Sequence, residues 1–226
     1  VQTFVKNNIV LENEDILNFI FENDFKLDLI NYYRGIPIIN SAKIIKIDCD
    51  EVIIKTSFLQ LMAIKYEGVT TIDSSEVNEN LFCKLISMDV ENYTATLKRQ
   101  KVFFPTSKHR NLSKVEPDEF LNALLVKHDI KTPIKILAIS MKEIIFKIND
   151  STISLFKHDN VNILLSFDGQ RIIVDSTIFK KNETNNSFEV ITFIKSSQKV
   201  DEILQKYIYK REQELLEEFK NLYLYN

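Results

Sequence analysis

The stretch that decides the fold is Val161-Asn162-Ile163-Leu164-Leu165-Ser166-Phe167-Asp168-Gly169-Gln170-Arg171-Ile172-Ile173-Val174-Asp175. Two apolar, strand-like runs flank Asp168-Gly169, a dipeptide that signals a tight turn because glycine tolerates the positive φ a short hairpin needs. The same pattern extends to both sides. Strand-like runs are expected at Phe120 to Val126, Ile134 to Ser140, Glu143 to Ile148, Thr152 to Phe156, Val161 to Phe167, Arg171 to Phe179 and Phe188 to Ile194. Short strands at this spacing, with turn residues between them, predict a small barrel or a sandwich.

The first half reads as β structure behind a helical lead-in. From Leu11 to Tyr33, the residues Ile16, Leu17, Ile20, Phe21, Leu27, Leu29 and Ile30 recur at helical spacing, with a break near Asn23-Asp24. Asn13 followed by acidic residues is a plausible helix start, and Gly35 with Pro37 just beyond is the expected stop. Lys43 to Ile47 and Val52 to Lys55 around Asp48-Cys49-Asp50-Glu51 predict a hairpin. Phe58 to Lys65 predicts a short helix closed by Gly68, and Phe82 to Met88 with Thr94 to Phe104 a second hairpin turning at Val90-Glu91-Asn92. The apolar pattern breaks at Pro105-Thr106-Ser107-Lys108, where a domain boundary is expected.

The C-terminal end changes period. Ser197 to Tyr225 has no Gly or Pro, and Leu204, Ile208, Leu215, Phe219 and Leu222 recur three, four or seven apart. Glu202, Lys206, Lys210 and Glu214 lie four apart on a charged face. This is a long amphipathic helix with turns to spare for a partner or a second copy. Tyr223 and Tyr225 are the aromatics expected to be exposed there.

Composition excludes several classes of function. The 226 residues include 16 Phe, enough for a packed core, and the net charge of -3 leaves no footprint for DNA or RNA. The three glycines, Gly35, Gly68 and Gly169, are far apart, which excludes a Walker loop and a Rossmann fingerprint. His109, His128 and His158 have no Cys or carboxylate at metal-site spacing, and nothing marks a nucleophile elbow. Cys49 and Cys83 fit a reducing compartment and a core role. No apolar run approaches the ~20 residues a membrane span needs. The expectation is a cytoplasmic protein that is not an enzyme and holds no metal or cofactor.

A basic linker, a β unit of six or seven strands and a C-terminal helix reading Tyr207-Ile208-Tyr209-Lys210-Arg211-Glu212-Gln213-Glu214-Leu215-Leu216 together resemble a PilZ domain. Leu29-Ile30-Asn31-Tyr32-Tyr33-Arg34-Gly35-Ile36-Pro37 and the hairpins after it resemble the N-terminal β domain of flagellar-brake-type proteins. The resemblance implies a mainly β fold with helices: two β-barrel-like domains, a split barrel and a PilZ barrel, and a long C-terminal α-helix. Residues 1–104 would hold the helical lead-in and the flagellar-brake-like domain. Residues 105–226 would hold the PilZ-like barrel and its helix.

The same resemblance implies cyclic di-GMP as a ligand. The family grips it with Arg-x-x-x-Arg in the linker and Asp/Asn-x-Ser-x-x-Gly at a strand end. An Arg fork donates two parallel bonds to phosphate or to a guanine edge, and Gly lets backbone approach. Here the first motif falls on Arg110-Asn111-Leu112-Ser113-Lys114, with Lys in place of the second Arg. The second falls on Ala138-Ile139-Ser140-Met141-Lys142-Glu143, where only the Ser is kept. Arg110, Lys114 and Ser140 are the candidate ligand residues, with Lys108 and His109 as compensating groups. The plain alternative for the basic cluster is a solvated linker, and for Ser140 an ordinary strand residue. A lost charge-assisted hydrogen bond is worth about 1.5–3 kcal/mol, so this site should bind roughly a hundredfold more weakly or not at all. The expected function is a PilZ-type signalling adaptor with a degenerate cyclic di-GMP motif, working through a protein partner or homo-oligomer in flagellar motility. The alternative is a working cyclic di-GMP receptor that binds at the linker.

Overall fold

The structure, a computed structural model, describes residues 3–6, 9–12, 16–75, 80–100, 113–119, 121–149, 153–167, 169–184 and 187–224. It divides into two compact units. The first comprises Val1–Tyr33, Pro37–Asn111 and Glu218–Asn226; the second comprises Arg34–Ile36 and Leu112–Glu217. The boundary expected at Pro105 lies outside the described residues.

The first unit opens with a hairpin of β1 (Thr3–Lys6) and β2 (Ile9–Glu12), followed by α1 (Ile16–Glu22). Its body is a closed antiparallel barrel in the order β3-β4-β5-β8-β7-β6. The strands are β3 (Leu27–Tyr33), β4 (Ile36–Asp48), β5 (Glu51–Lys55), β6 (Val69–Asp73), β7 (Leu81–Asp89) and β8 (Thr94–Arg99). The helical reading of Leu11 to Tyr33 therefore holds only for α1. Leu11 and Glu12 end a strand, and Leu27, Leu29, Asn31 and Tyr33 are buried at a period of two, as in a strand with one face inward. Leu27, Leu29 and Ile30 fit either period over so short a run, and pairing with β6 decided it. Gly35 ends this strand rather than a helix. With Arg34 it forms the β3–β4 turn, at φ 88° and 47°.

The hairpin at Cys49-Asp50 forms as expected, with Cys49 at φ 52°. Cys49 is exposed, against the core role expected of it; Cys83 is buried and free. Burial pushes the Cys83 thiol up to about 12, against the opposing Arg99 charge, so this sulfur is held as an inert thiol. β6 was not anticipated from sequence.

Helix α2 (Phe58–Glu67) is capped at both ends. Ser57 accepts the Gln60 N–H, and the N–H of Gly68, at φ 71°, returns to Ile64 O at 2.8 Å. Gln60 through Ile64 are all buried, so the middle of α2 packs into the unit while its last turn, Lys65 to Glu67, is exposed. A polar cluster goes in with it. Asn31, fully buried, donates to Glu67 Oε2 and Val69 O at 2.6 Å each, and accepts from Gln60 at 2.9 Å and Thr70 at 2.7 Å. Every donor and acceptor of this amide is thereby matched, which makes its burial tolerable.

The second unit is another closed antiparallel barrel, in the order β10-β11-β14-β13-β12-β9. Its strands are β9 (Asn122–Lys127), β10 (Ile130–Ile139), β11 (Glu143–Ile148), β12 (Asn160–Phe167), β13 (Gln170–Thr184) and β14 (Ser187–Ile194). Leu125, Phe146, Ile163, Val174 and Val190 are fully buried from successive strands. The decisive hairpin pairs Phe167 with Gln170, and Gly169 sits at φ 74°. The strand expected at Thr152 to Phe156 is absent from its described part: Ile153 to Phe156 make no ladder. A side-chain clamp takes the ladder's place. Lys127 Nζ donates to Ser154 O at 2.6 Å and to Asp159 Oδ2 at 2.5 Å, and Asp159 also accepts the Phe156 N–H.

Helix α3 (Gln198–Leu224) closes the chain. Leu204, Ile208, Leu215 and Phe219 are buried as the stripe predicts, while Leu222 is 45% exposed. Glu202, Lys206, Lys210 and Glu214 lie on the exposed face. Within the second unit, Tyr207 packs on Phe167 with ring centroids 4.5 Å apart, and burial raises its phenol to about 12. Within the first, Phe219 is fully buried against Tyr33 at 4.8 Å, and Tyr33 donates to Glu218 at 2.6 Å. Tyr223 is half-buried with its edge toward Phe219, so it is not the exposed aromatic expected. Tyr225 lies outside the described residues. No described helix is long and apolar enough to cross a membrane.

Candidate functional site

Two of the five candidate ligand residues, Lys114 and Ser140, are described; Lys108, His109 and Arg110 lie outside the described residues. Lys114 and Ser140 belong to the second unit, 26 positions apart in sequence. A single β-bridge gives them a common frame. Val115 N–H donates to Ile139 O at 2.9 Å, and Ile139 N–H returns to Val115 O at 3.0 Å. The linker exit thus runs antiparallel to the end of β10, directly before Ser140.

The geometry then closes the site on itself. Lys114 Nζ lies 2.5 Å from Glu143 Oε2, with the two side chains 46% and 23% exposed. The Lys114 ammonium is therefore neutralised by the Glu143 carboxylate. Ser140, 3% exposed, has its hydroxyl engaged by the β10–β11 turn. It accepts from Glu143 N–H at 2.9 Å and Lys142 N–H at 3.2 Å, and donates toward Glu143 O at 3.3 Å. Its oxygen serves the turn, in the manner of short Ser side chains that bond nearby backbone. Ala138 pairs with Ile145 and has no acceptor to offer.

A second set of residues, none of them among the candidate ligand residues, holds this frame in place. Lys114 N–H donates to Gly35 O at 3.2 Å and Glu116 N–H to Arg34 O at 3.1 Å. A Cβ on Gly35 would lie 1.7 Å from Lys114 O, so the backbone approach itself requires glycine there. Arg34 forks onto the Glu116 carboxylate, Nε at 3.0 Å and Nη2 at 3.1 Å. Arg211 of α3, 9% exposed, donates to Glu116 O at 2.9 Å and to Glu214 at 3.0 Å. One signal was available. Arg211 falls in the gap of the apolar series Leu204, Ile208, Leu215, Phe219, where a buried charge needs a partner. Among the described residues, no cluster of three or more His, Cys, Asp or Glu is arranged to hold a metal ion.

No family profile matches the chain, and no curated protein matches it. Solved structures with a related layout include YcgR from Escherichia coli in complex with c-di-GMP, at 12% identity and TM-score 0.46, covering 92% of each chain. The Bacillus subtilis inhibitor of motility MotI/DgrA is 10% identical at TM-score 0.42, covering 84% of this chain and 97% of its own. The K. pneumonia MrkH–c-di-GMP complex is 14% identical at TM-score 0.42, covering 92% and 94%. At these values the likeness assigns no residue a role here. The fold is described by the chain's own strands: two closed six-stranded antiparallel barrels and a long C-terminal helix. That is the two-barrel arrangement implied by the PilZ resemblance.

Proposed function

We propose that the chain is a PilZ-type signalling adaptor with no catalytic centre of its own, whose cyclic di-GMP motif is degenerate and which works through protein–protein contacts in the cytoplasm. The observation that carries this reading is the Lys114–Glu143 ion pair. A dianionic ligand entering there would have to break that pair and then face the Glu143 carboxylate. It would gain no fork from Lys114, no acceptor from Ala138 and little from a Ser140 hydroxyl already engaged by its own turn. Flagellar motility is the proposed setting, on the resemblance of Leu29 to Pro37 and the hairpins after it.

Calorimetry tests it. Cyclic di-GMP titrated into the full chain should give no saturable heat. A variant that rebuilds the motif, Lys114→Arg with Ala138→Asp and Glu143→Gly, should bind. Saturable binding by the wild-type chain, lost in Arg110→Ala, would overturn the proposal and make the protein a receptor.

A further inference from the structure

The second barrel carries an outward apolar row unrelated to its core. Ile144, Phe146, Val190 and Thr192 point inward and are fully buried. Their neighbours Ile145 and Ile191 therefore face out, and in the strand register Ala138 opposes Ile145, which in turn opposes Ile191. The β-bulge in β13 between Ile178 and Lys180 extends the row. It turns Phe179 and Lys180 to the same side, and Phe179 stacks on Phe193 with centroids 4.7 Å apart. Phe179 is 44% and Phe193 41% exposed, so the stack is formed at the surface rather than in the core.

The charges around this row are lopsided. Lys135 and Lys147 oppose each other directly across β10 and β11, a like-charge pair that costs stability when nothing neutralises it. Lys180 opposes Ile191 at the other side, and Lys157 lies over the Phe179 ring at 5.6 Å. All four lysines are exposed, and none makes an ion pair among the described residues. Glu189 faces Lys147 in register, and Glu143 is already matched by Lys114. An apolar strip inside a cationic rim complements a segment that is apolar on one side and acidic on the other.

We infer that the outer face of β10, β11, β14 and β13 is the docking surface for an acidic protein segment carrying an apolar anchor residue. This deepens the adaptor reading and rests on it. The anchor would sit on the Phe179–Phe193 stack and the Ile145–Ile191 pair, and carboxylates would relieve the Lys135–Lys147 opposition.

The test uses the full chain and two synthetic amphipathic peptides of equal length with identical Leu/Phe faces, one with a Glu polar face and one with a Lys polar face. Fluorescence anisotropy should show saturable binding of the Glu peptide only, weakening as salt is added. Lys135→Glu with Lys147→Glu, and separately Phe179→Ser with Phe193→Ser, should each weaken it roughly tenfold or more. Thermal melts confirm the fold of each variant, and the lysine pair is fully surface-borne, so it stays informative if the Phe pair fails to fold. Equal binding of both peptides, no binding of the Glu peptide, or unchanged affinity in the lysine variant would overturn the assignment. So would light scattering that shows a wild-type dimer turned monomeric by these variants, which would give the face to a second copy. The adaptor reading fails separately, on wild-type cyclic di-GMP calorimetry, and that result leaves the peptide measurement interpretable.

Discussion

The two barrels share a strand count and a closed antiparallel order, yet one polar cluster in each is built on a different plan. The first buries Asn31, Gln60 and Thr70 and matches them to one another, with Glu67 as a further acceptor. The second keeps Lys114, Glu143 and the Ser140 turn at a strand end, with the two charges partly in water. The difference teaches what each arrangement is suited to. A matched buried network has no spare donor or acceptor for a ligand, and its value lies in holding α2 in one register against β3 and β6. A half-exposed ion pair holds little energy, so a substitution there leaves the fold intact.

That contrast breaks most readily at Asn31. Asn31→Ala would leave the buried Gln60 and Thr70 donors without their acceptor, and should cost about 3 kcal/mol in denaturant unfolding. A loss under about 1 kcal/mol would mean water enters the first barrel and the network is not sealed. Ser140→Ala should cost about 1 kcal/mol, because it removes the acceptor for two part-buried turn N–H groups. No loss on that substitution would free Ser140 for a role other than shaping the turn. A double-mutant cycle on Lys114→Ala and Glu143→Ala should return a coupling of about 0.5–1 kcal/mol that shrinks in high salt. A larger, salt-insensitive coupling would bring the two barrels' polar clusters closer in kind.

The smallest effect is electrostatic and pH-dependent. The Lys127 side-chain hydrogen bond, and then the Phe156 N–H, hold the Asp159 carboxyl below its usual range. A carboxyl with a lowered folded value lends stability above its unfolded value, and that stability is lost as pH falls through the folded one. Melting curves of the wild type and Asp159→Asn should therefore differ at neutral pH and converge below about pH 4. A gap that persists in acid would mean the clamp on Ile153 to Phe156 depends on shape rather than charge.

Much of this architecture was legible in the chain because it is set locally. The turn at Gly169, the hairpin at Asp48 to Glu51, the Gly68 stop and the amphipathic stripe from Leu204 to Phe219 each follow from a period and a punctuation residue within a few positions. The errors lie where local signals conflict. Leu27 to Tyr33 satisfied two periods, and the pairing of Asp28 to Ile30 with Thr71 to Asp73, more than forty positions away, selected the strand. Thr152 to Phe156 looked strand-like by composition, but in its described part the Lys127–Asp159 clamp gives Ser154 O and Phe156 N–H other partners.

By itself, the sequence determined that this is a mainly β protein with a long closing helix, because alternation and helical spacing are properties of neighbouring residues. Only the tertiary structure decided that each sheet closes into a barrel and that Val115 meets Ile139. It also decided that Lys114 ends on Glu143 rather than facing an open site. The physical reason is that charge pairing and ring stacking act over a few ångströms of space. The positions they join, Lys114 with Glu143, Arg34 with Glu116 and Phe179 with Phe193, are brought within reach only by strand register and chain reversal.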